Sequence, residues 1–389
     1  PNYGFDHLEI SDEPGPYIDA YRSWVKHSNP DQLNKISLGL PPAAEVWQKQ
    51  MGVNDNIQHP KERFPLRPLA FRGDSNYTHS AFVAEQTMSF MEQHKYSPFL
   101  CISGFYSPHS PWVAPQEFID IYDPNTLTIP KYPEHIENKR NPSSFTQEEL
   151  RRAHHGYYAM ISEVDHHVGR ILNHLDQMGL RDNTIIVFTS DHGDYQGDHW
   201  LGEKELFHEQ IVRVPMIIYD PSSSADKNRG VKEKRFIEAI DLLPTFLDAV
   251  DSKASKHCLE GQSLIPILRG EKISKWKDSV FSEIDYSFNE ARKILNLGAS
   301  DARAYMIRNL KWKYIYYKGF PPQLFDLEND PDEFEDLGQS PDHLKIREEM
   351  KELLLQRIIS RKNRVTATDE FVLKDRDYTK EDGIMIGVW

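Results

Sequence analysis

The stretch that decides the fold is TIIVFTSDHGDYQGDHWLGEKELFHEQIVRVPMIIYDP, Thr184 to Pro221. It begins and ends with runs of aliphatic and β-branched residues, TIIVFTS and VPMIIYDP, which predict two buried strands. The segment between them is rich in Asp, His and Gly, which form turns but also bind metals and anions. The chemistry of this protein is therefore expected where the first strand ends.

Helical patterns alternate with apolar runs along the rest of the chain. Apolar residues recur at three- and four-residue steps from Thr78 and again from Gln147, and the second helix is predicted to stop at Gly179. PFLCISGFY, Pro98–Tyr106, predicts a buried strand, and FIEAIDLLPTFLDAV, Phe236–Val250, predicts a helix. The alternation predicts an α/β fold in which helices sandwich a mostly parallel sheet.

The two ends of the chain follow different patterns. Residues 1–75 are irregular, and the last thirty residues carry no clear pattern. After about Gly261, the runs SVFSEI, AYMIRNLKWKYIYYK and QLFDLEND predict short strands, followed by a helix over Pro341–Ile359. We therefore predict an α/β domain over residues 1–260 and a small C-terminal α+β subdomain, with an antiparallel sheet, over residues 261–389.

The composition excludes several classes of partner. Apolar residues make up 39% and charged residues 27% of the chain, and no run of about 18 apolar residues predicts a membrane span. The formal net charge of −14 disfavours binding to nucleic acid, because the phosphate backbone is also negative. The two cysteines, Cys101 and Cys258, have neither the spacing of metal ligands nor the number of a disulfide framework.

Candidate site residues follow the predicted strands. Asp191 and His192 come directly after TIIVFTS and offer a carboxylate oxygen and an imidazole nitrogen to a divalent cation. Gly193 permits close approach of the backbone, and Lys204 supplies a positive charge for an anionic ester oxygen. His109, which follows PFLCISGFYSP, can protonate a leaving group or hydrogen-bond an anionic oxygen.

Each of these residues also has an ordinary structural interpretation. Asp-His-Gly after a strand is commonly a turn in which Asp caps and Gly takes a positive φ. His109 lies between prolines and would then make one backbone hydrogen bond, while Lys204 would be a solvated surface charge. Considered singly, the residues leave this alternative open. Their combination in one chain favours a metal and anion site.

Several segments together resemble the sulfatase branch of the alkaline phosphatase superfamily. SDHGDYQGDHWLGEKELFHEQIVRVPMIIYDP resembles the family's metal-binding strand end, and GFYSPHSPW resembles its histidine loop. YYAMISEVDHHVGRIL resembles the helix between them, and QLFDLENDPDEFEDLG resembles the C-terminal strand and turn. The resemblance covers nearly the whole chain in the same order. It implies an alkaline phosphatase-like fold.

The resemblance also implies roles at the matching positions. Asp191 and His192 would be two ligands of the catalytic metal, with Ca²⁺ preferred and Mn²⁺, Mg²⁺ or Zn²⁺ as alternatives. Lys204 and His109 would hold the sulfate or phosphoryl oxygens, with His109 also near the leaving group. His199, in GDHW, lies on the same loop and is included among the catalytic residues. In this family the nucleophile is a formylglycine made from Cys or Ser.

The sequence departs from the family in one respect. The nucleophile motif, Cys- or Ser-x-Pro/Ala-x-Arg, does not occur in the 389 residues, and neither do the first strand with its acidic ligands or the Gly-Lys-x-His segment. In the family, that last segment precedes a stretch like YGFDH, Tyr3–His7. The expectation is a chain that represents about the C-terminal three quarters of a sulfatase-like enzyme and is inactive alone.

Three functions remain open at this stage. Hydrolysis of a small anionic sulfate ester is the leading one. The second is hydrolysis of phosphonate monoesters or phosphodiesters, because the segment over residues 283–317 resembles phosphonate monoester hydrolases. The third is a non-catalytic, truncated or pseudoenzyme chain that serves as a binding module. The sequence leaves the compartment and the metal undetermined, and it leaves a homo-oligomer open.

Overall fold

The computed structural model describes residues 4–11, 18–36, 66–138, 145–252 and 256–375. Tyr3, which opens the YGFDH stretch, and parts of the N-terminal and C-terminal regions with no clear pattern lie outside these ranges. The chain forms two compact units. One comprises Pro1–Thr184 with Asp194–Lys204, and the other comprises Ile185–Gly193 with Glu205–Trp389. The predicted domain boundary at residue 260 divides the chain once, whereas each unit contains two separate stretches of the chain. The boundary stays a prediction.

The first unit is built on helices. Its helices are α1 (Ala20–Ser28), α2 (His79–His94), α3 (Gln116–Ile119), α4 (Glu134–Glu137) and α5 (Gln147–Gln177). Two short strands, β1 (Leu69–Ala70) and β2 (Val113–Ala114), pair in parallel. The helices predicted from Thr78 and from Gln147 are confirmed. Helix α1 was not predicted, because it lies in the N-terminal region that carries no clear apolar period.

The long helix α5 has strong local signals at both ends. Thr146 accepts a hydrogen bond from the Glu149 backbone N–H, and the Glu149 carboxylate accepts one from the Thr146 N–H, which forms a capping box. Gly179 follows the helix with a φ of 67°, as predicted for its stop. Within the helix, Gly156 permits close packing, because a β-carbon there would lie 2.6 Å from the Trp112 β-carbon.

The predicted strand over Pro98–Tyr106 does not form. This segment has no regular secondary structure, and Leu100 and Ile102 are exposed. A strand requires a neighbouring backbone to accept and donate its ladder hydrogen bonds, and the described residues supply none here. An apolar run can predict an extended segment, but it carries no information about whether a partner strand is present.

The second unit contains most of the β-structure. Strands β3 (Ile186–Thr189) and β4 (Met216–Tyr219) pair antiparallel. Strands β5 (Val280–Asp285), β6 (Arg303–Arg308), β7 (Trp312–Tyr317) and β8 (Gln323–Asp326) form an antiparallel sheet in that order. The helices of this unit are α6 (Glu209–Val212), α7 (Leu242–Ala249), α8 (Ile265–Leu268), α9 (Glu290–Ile294), α10 (Leu344–Ile359) and α11 (Asp369–Asp375).

The strands predicted from the decisive stretch are present, and so is the C-terminal sheet. The prediction that the two strands are buried is wrong among the described residues, because Phe188 in β3 and Ile217 in β4 are exposed. The α/β class of the chain is as predicted. However, β3 and β4 run antiparallel, whereas a mostly parallel sheet was expected. The segment between them turns the chain back beside β3 instead of crossing over, which gives an antiparallel pair. Helix α11 adds a short helix to the C-terminal residues that carry no clear pattern. None of the described helices is long and apolar enough to cross a membrane.

A buried network of charges ties distant segments of the second unit together. We call Lys313, Glu209, Glu333 and Arg308 the Lys313 network. The fully buried Lys313 ammonium donates to the Phe207 carbonyl at 2.8 Å and lies 2.9 Å from Glu209 Oε1 and 2.6 Å from Glu333 Oε1. Glu333 also accepts a hydrogen bond from the Glu209 N–H at 2.6 Å, at the start of α6. The network therefore holds the segment that follows Lys204.

The charges in the Lys313 network are balanced. Arg308 Nε donates to Glu209 Oε1 at 3.0 Å, so two positive side chains face two negative ones. Burial acts to raise the pKa of Glu209, but Lys313 and Arg308 outweigh it and lower that pKa. For Glu333, burial raises the pKa despite the opposing charge of Lys313. Pairing is what makes burial of these ions tolerable.

The first unit buries ionisable groups without a matching set of opposite charges. We call Glu163, His167, His79 and Tyr21 the Glu163 cluster. His167 Nε2 lies 3.9 Å from Glu163 Oε1, and the rings of Tyr21 and His79 pack edge-on with centroids 5.2 Å apart. Burial raises the pKa of Glu163 to about 7 and lowers the pKa of His79 to about 4. Burial also lowers the pKa of His167 to about 4.

Candidate functional site

The residues after β3 form a turn that presents two potential metal ligands. Asp191 Oδ1 accepts a hydrogen bond from the His192 N–H at 2.9 Å, and His192 Nδ1 lies 2.7 Å from the Gly193 carbonyl oxygen. Because a carbonyl can only accept, Nδ1 carries the proton and Nε2 keeps its lone pair. That nitrogen lies 3.5 Å from Asp191 Oδ2, so both free donor atoms are on the same side of the turn.

Gly193 explains why this turn packs so closely. Its N–H donates to the Ile211 carbonyl at 2.8 Å. A β-carbon at this position would lie 1.8 Å from the Gln210 carbonyl oxygen, so any side chain would displace the backbone. The predicted role of Gly193 in close backbone approach agrees with this geometry.

Asp191 and His192 fit one side of a divalent metal site. The Asp191 side chain is 85% exposed, and one carboxylate oxygen plus one imidazole nitrogen suit several divalent cations. The hydrogen bond from Nδ1 to the Gly193 carbonyl fixes the ring and its tautomer, which is the usual support for a metal-binding histidine. Within the described ranges, no group of three or more His, Cys, Asp or Glu side chains forms a ready metal site. The pair is thus a partial donor set.

The segment over residues 194–204, which we call the lysine loop, carries His199 and Lys204. It closes on itself, because the Tyr195 N–H donates to the Glu203 carbonyl at 3.0 Å and the Gly197 N–H donates to the Leu201 carbonyl at 2.9 Å. The loop also takes backbone conformations that are costly for most residues. Its non-glycine residues with positive φ are Gln196, His199, Trp200 and Glu203. Such conformations persist only where surrounding contacts enforce them.

Contacts from the rest of the first unit enforce this conformation. His154, on α5, is buried and its Nε2 lies 2.7 Å from the Gln196 carbonyl oxygen, while its Nδ1 lies 3.1 Å from the Thr128 carbonyl oxygen. The Tyr132 hydroxyl donates to the Gly197 carbonyl at 3.2 Å. These bonds fix the lysine loop on α5.

Lys204 and His199 differ in their surroundings. Lys204 is half-buried and forms no ion pair with any residue in the described part of the chain. His199 has a φ of 53° and its ring centroid lies 6.3 Å from that of Tyr195. A lysine without a carboxylate partner can bind an anion, and the anion-binding role of Lys204 stays a prediction.

His109 lies on a loop with cis prolines on both sides, at Ser107–Pro108 and Ser110–Pro111. Its Nδ1 lies 2.7 Å from the Ser110 carbonyl oxygen and 3.1 Å from the Tyr106 hydroxyl. Nδ1 therefore carries a proton, and Nε2 is the nitrogen left for a substrate. The sequence analysis did not single out Tyr106, whose hydroxyl also donates to the Ser110 carbonyl at 2.8 Å.

A second residue missed by the sequence analysis is Asp194. It lines a cavity of about 230 Å³ together with residues of α5 and the lysine loop. Burial raises the pKa of Asp194 and Glu203 adds to the increase, while hydrogen bonds from Gln196 and the nearby His109 act against it. Asp194 lies two residues after His192 in the sequence, but its interaction with His109 arises from tertiary folding, which a spacing pattern does not contain.

The predicted residues thus fall into two groups. Asp191 and His192 lie together in the second unit. His109, His199 and Lys204 belong to the first unit, where His199 and Lys204 share the lysine loop. The role predicted for each group, and their joint role in one site, stay predictions.

Comparison with known proteins identifies the family. The family description "Sulfatase" matches residues 38–252, which is more than half of the chain. The chain belongs to the sulfatase family. A second description, "N-sulphoglucosamine sulphohydrolase, C-terminal", matches residues 197–360. This confirms the predicted resemblance to the alkaline phosphatase superfamily.

Individual relatives of this sulfatase-family chain carry several activities in their names. It is 28% identical to an arylsulfatase of Clostridium perfringens over 90% of this chain and 67% of the relative. It is 27% identical to the multifunctional alkaline phosphatase superfamily protein PehA of Trinickia caryophylli, over 84% of this chain and 65% of the relative. The chain therefore spans about two thirds of the length of these relatives.

Among solved structures, the phosphonate monoester hydrolase of Agrobacterium radiobacter is similar with a TM-score of 0.72. The sequence identity is 26%, over 88% of this chain and 69% of the other. This similarity confirms the α/β, alkaline phosphatase-like fold class.

Proposed function

We propose that this protein hydrolyses small anionic sulfate esters with one bound divalent metal ion. The observation that carries the proposal is the turn after β3. There, His192 Nε2 and Asp191 Oδ2 lie 3.5 Å apart, and the hydrogen bond from His192 Nδ1 to the Gly193 carbonyl fixes the imidazole ring. Family membership supports the same reaction class. Relatives named arylsulfatase and choline-sulfatase make a sulfate ester the first candidate substrate.

Asp191 and His192 would hold the metal in this proposal. When bound, the ion supplies Lewis-acid polarisation of an ester oxygen and orients the reacting groups. Ca²⁺ is the first choice, with Mn²⁺, Mg²⁺ and Zn²⁺ as alternatives, because an oxygen and an imidazole nitrogen suit all four to different degrees. The His192 tautomer is set for this role by the Gly193 carbonyl.

Lys204 and His109 would bind the sulfate group. The Lys204 ammonium neutralises charge that builds on the non-bridging oxygens, an interaction that strengthens in the transition state. As an imidazolium, His109 would donate the Nε2 proton to the leaving-group oxygen while Nδ1 stays bonded to Ser110. His199 contributes a third catalytic side chain from the same loop as Lys204. The family's formylglycine motif is not among the 389 residues, so these side chains account for binding and proton transfer and not for the attack.

Hydrolysis of a phosphonate monoester or phosphodiester is the second candidate. The solved structure of a phosphonate monoester hydrolase supports it, since it covers 88% of this chain with a TM-score of 0.72. Sulfate monoesters and phosphonate monoesters both present one negative charge on a tetrahedral centre. The proposed metal ligands Asp191 and His192, together with Lys204, would suit either ester. Substrate profiling is therefore needed to separate the two candidate functions.

The test is a substrate panel with the purified full-length protein. The panel contains 4-nitrophenyl sulfate, a 4-nitrophenyl phosphonate monoester and bis(4-nitrophenyl) phosphate, each assayed after chelation and after addition of each of the four metals. We expect the sulfate ester to be cleaved fastest and activity to require a metal. A higher kcat/KM for the phosphonate would make the second candidate the main function.

Variants separate the roles of the residues. Lys204→Ala should lower kcat/KM by about 100- to 1,000-fold, as removal of one charge-stabilising donor does. Lys131→Ala, which removes an exposed lysine of the same unit, is the control and should have no effect. Asp191→Asn should abolish tight metal binding in calorimetry. If the full-length protein carries a formylglycine and binds a metal but cleaves none of the esters, it is a binding module and the enzyme proposal is wrong.

A further inference from the structure

The Tyr106 hydroxyl, the Ser110 carbonyl and His109 Nδ1 contact one another, and we call these three groups the Tyr106 triangle. The hydroxyl donates to the carbonyl at 2.8 Å, Nδ1 lies 2.7 Å from the same carbonyl oxygen, and the hydroxyl oxygen lies 3.1 Å from Nδ1. A carbonyl oxygen has two lone pairs, so it can accept from both donors at once. Tyr106 therefore holds the acceptor to which His109 is bonded.

The triangle places two oxygen atoms at one edge of the His109 ring. Because the Tyr106 proton points to Ser110, the hydroxyl oxygen offers a lone pair to the Nδ1 proton. A ring that turned over would face these oxygens with a C–H group, and a ring protonated only on Nε2 would face them with a bare lone pair. Either change loses hydrogen bonds at a half-buried position, so the triangle selects one orientation and one tautomer.

The first residues of α2 support the Tyr106 ring and its loop. The His79 ring packs edge-on against the Tyr106 ring, with centroids 6.2 Å apart and planes at 72°, and Ser80 Oγ donates to Ser107 Oγ at 3.4 Å. Burial lowers the pKa of His79 to about 4, so this ring is uncharged at neutral pH and packs as an aromatic group. A phenylalanine at position 106 would keep the ring that His79 contacts and would lack only the hydroxyl.

We propose that Tyr106 is a positioning residue for His109 and holds the imidazole with Nε2 directed to the leaving group of the ester. The inference rests on the proposed function of His109 as the proton donor. In that step the Nε2–H bond breaks and an O–H bond forms on the leaving-group oxygen, which keeps the electron pair of its bond to sulfur. The neutral ring that results carries its proton on Nδ1, which is the form that the triangle holds. The ring therefore needs no rotation or proton shift during the reaction.

The experiment compares two leaving groups in the full-length protein. Phenolate is a stronger base than 4-nitrophenolate and needs the proton more, so phenyl sulfate tests His109 and 4-nitrophenyl sulfate is the internal reference. For Tyr106→Phe, we expect kcat for phenyl sulfate to fall about tenfold with KM unchanged, which is part of the roughly 10²–10⁴-fold that a positioned acid contributes. For 4-nitrophenyl sulfate, kcat should fall by less than about twofold.

Tyr96→Phe is the matched control for this comparison. Tyr96 belongs to the same unit and is 92% exposed, so loss of its hydroxyl should change the kinetics of neither ester. For Tyr106→Phe, equal losses on the two esters would indicate general damage to the loop and not a misplaced proton donor. That result, or an unchanged kcat for phenyl sulfate, would overturn the inference.

The tautomer of His109 gives a second measurement that needs no turnover. Nitrogen NMR spectra of wild type and Tyr106→Phe, both labelled with ¹⁵N-histidine, are recorded at about pH 8, where an ordinary imidazole is neutral. The His109 signals are assigned from the spectrum of His109→Gln. We expect a protonated Nδ1 in wild type and a mixture with protonated Nε2 in Tyr106→Phe.

This measurement keeps the inference distinct from the fate of the proposed function. If wild type cleaves no ester but Tyr106→Phe shows the mixture of tautomers, the hydrolase proposal fails and the positioning of His109 by Tyr106 stands. If both proteins show the same tautomer, the positioning role of Tyr106 is wrong, whether or not the esters are cleaved.

Discussion

The Lys313 network and the Glu163 cluster bury ionisable side chains in opposite ways. In the network, Lys313 and Arg308 face Glu209 and Glu333 at 2.6–3.0 Å, so each buried carboxylate has a cation beside it. In the cluster, the pKa values of Glu163 and His79 shift towards their neutral forms, because burial disfavours charge and no opposite charge among the described residues compensates. The stability that the Lys313 network provides should therefore fall when a partner is removed. The stability that the Glu163 cluster provides should change with pH.

The largest expected effect is removal of Lys313. Lys313→Met should destabilise the protein by about 3–5 kcal/mol, because it leaves the buried Glu333 carboxylate without its cation and leaves Glu209 with Arg308 alone. Lys311→Met is the matched control, since Lys311 is 44% exposed and pairs with Glu328 at the surface. Denaturant unfolding of both variants checks this. Similar midpoints for the two variants would show that the network is not stabilised by pairing.

The second prediction concerns Glu163 and pH. The folded-state pKa of about 7 lies above the ordinary value of 4.5, so the folded protein holds this proton more tightly than the unfolded chain. The stability from this group is fully present below pH 4.5 and is lost as the pH rises through 7. Between pH 5 and pH 8 the loss should be about 2–3 kcal/mol.

Glu163→Gln tests that loss, because an amide has no proton to release. The variant should lose less stability than wild type between pH 5 and pH 8 in parallel denaturant titrations. Glu148→Gln, at an exposed position of the same helix, should keep the wild-type dependence. A Glu163→Gln curve parallel to wild type would mean that Glu163 stays charged and paired, and the contrast with the Lys313 network would disappear.

His79 gives the opposite pH dependence within the same cluster. Its folded-state pKa of about 4 lies below the ordinary 6.5, so its contribution is fully present above pH 6.5 and is lost as the pH falls towards 4. Neither ring nitrogen has a hydrogen-bond partner among the described residues. His79→Phe should therefore reduce the loss of stability between pH 7 and pH 5 by about 1–2 kcal/mol. His27→Phe, on the exposed surface of α1, should leave that loss unchanged.

His154 tests a third way to bury a titratable ring, with backbone carbonyls as partners. His154→Phe breaks the bond to Gln196 and should cost about 1 kcal/mol. Because that bond fixes the lysine loop, KM for the ester should rise severalfold. His155→Phe is a close control, since His155 bonds the Ile119 carbonyl at 2.8 Å instead. A similar KM in both variants would show that the bond from His154 does not affect the function of the lysine loop.

The parts of the fold that could be predicted are those with local signals. Helix α5 was predictable because its apolar period and the stop at Gly179 are local features of the sequence. The strand over Pro98–Tyr106 was predicted wrongly, because pairing depends on a second segment. The Lys313 network was also beyond prediction, since its members are joined only by tertiary folding.

The candidate site shows the same limit. Asp191, His192 and Lys204 could be singled out because their residue types follow a predicted strand in a recognisable order. The positive φ of His199 could not be predicted, because a non-glycine residue takes that conformation only under tertiary contacts.

The Lys313 network also has a consequence for biosynthesis. It joins Glu209 to Glu333, which are 124 positions apart. At a synthesis rate of about 5–20 residues per second, the ribosome needs roughly 6–25 s to make the chain between them. During that interval the emerging segment after Lys204 lacks its buried cation and its acceptor. We expect it to be a substrate for chaperones and proteases until the C-terminal sheet has been translated.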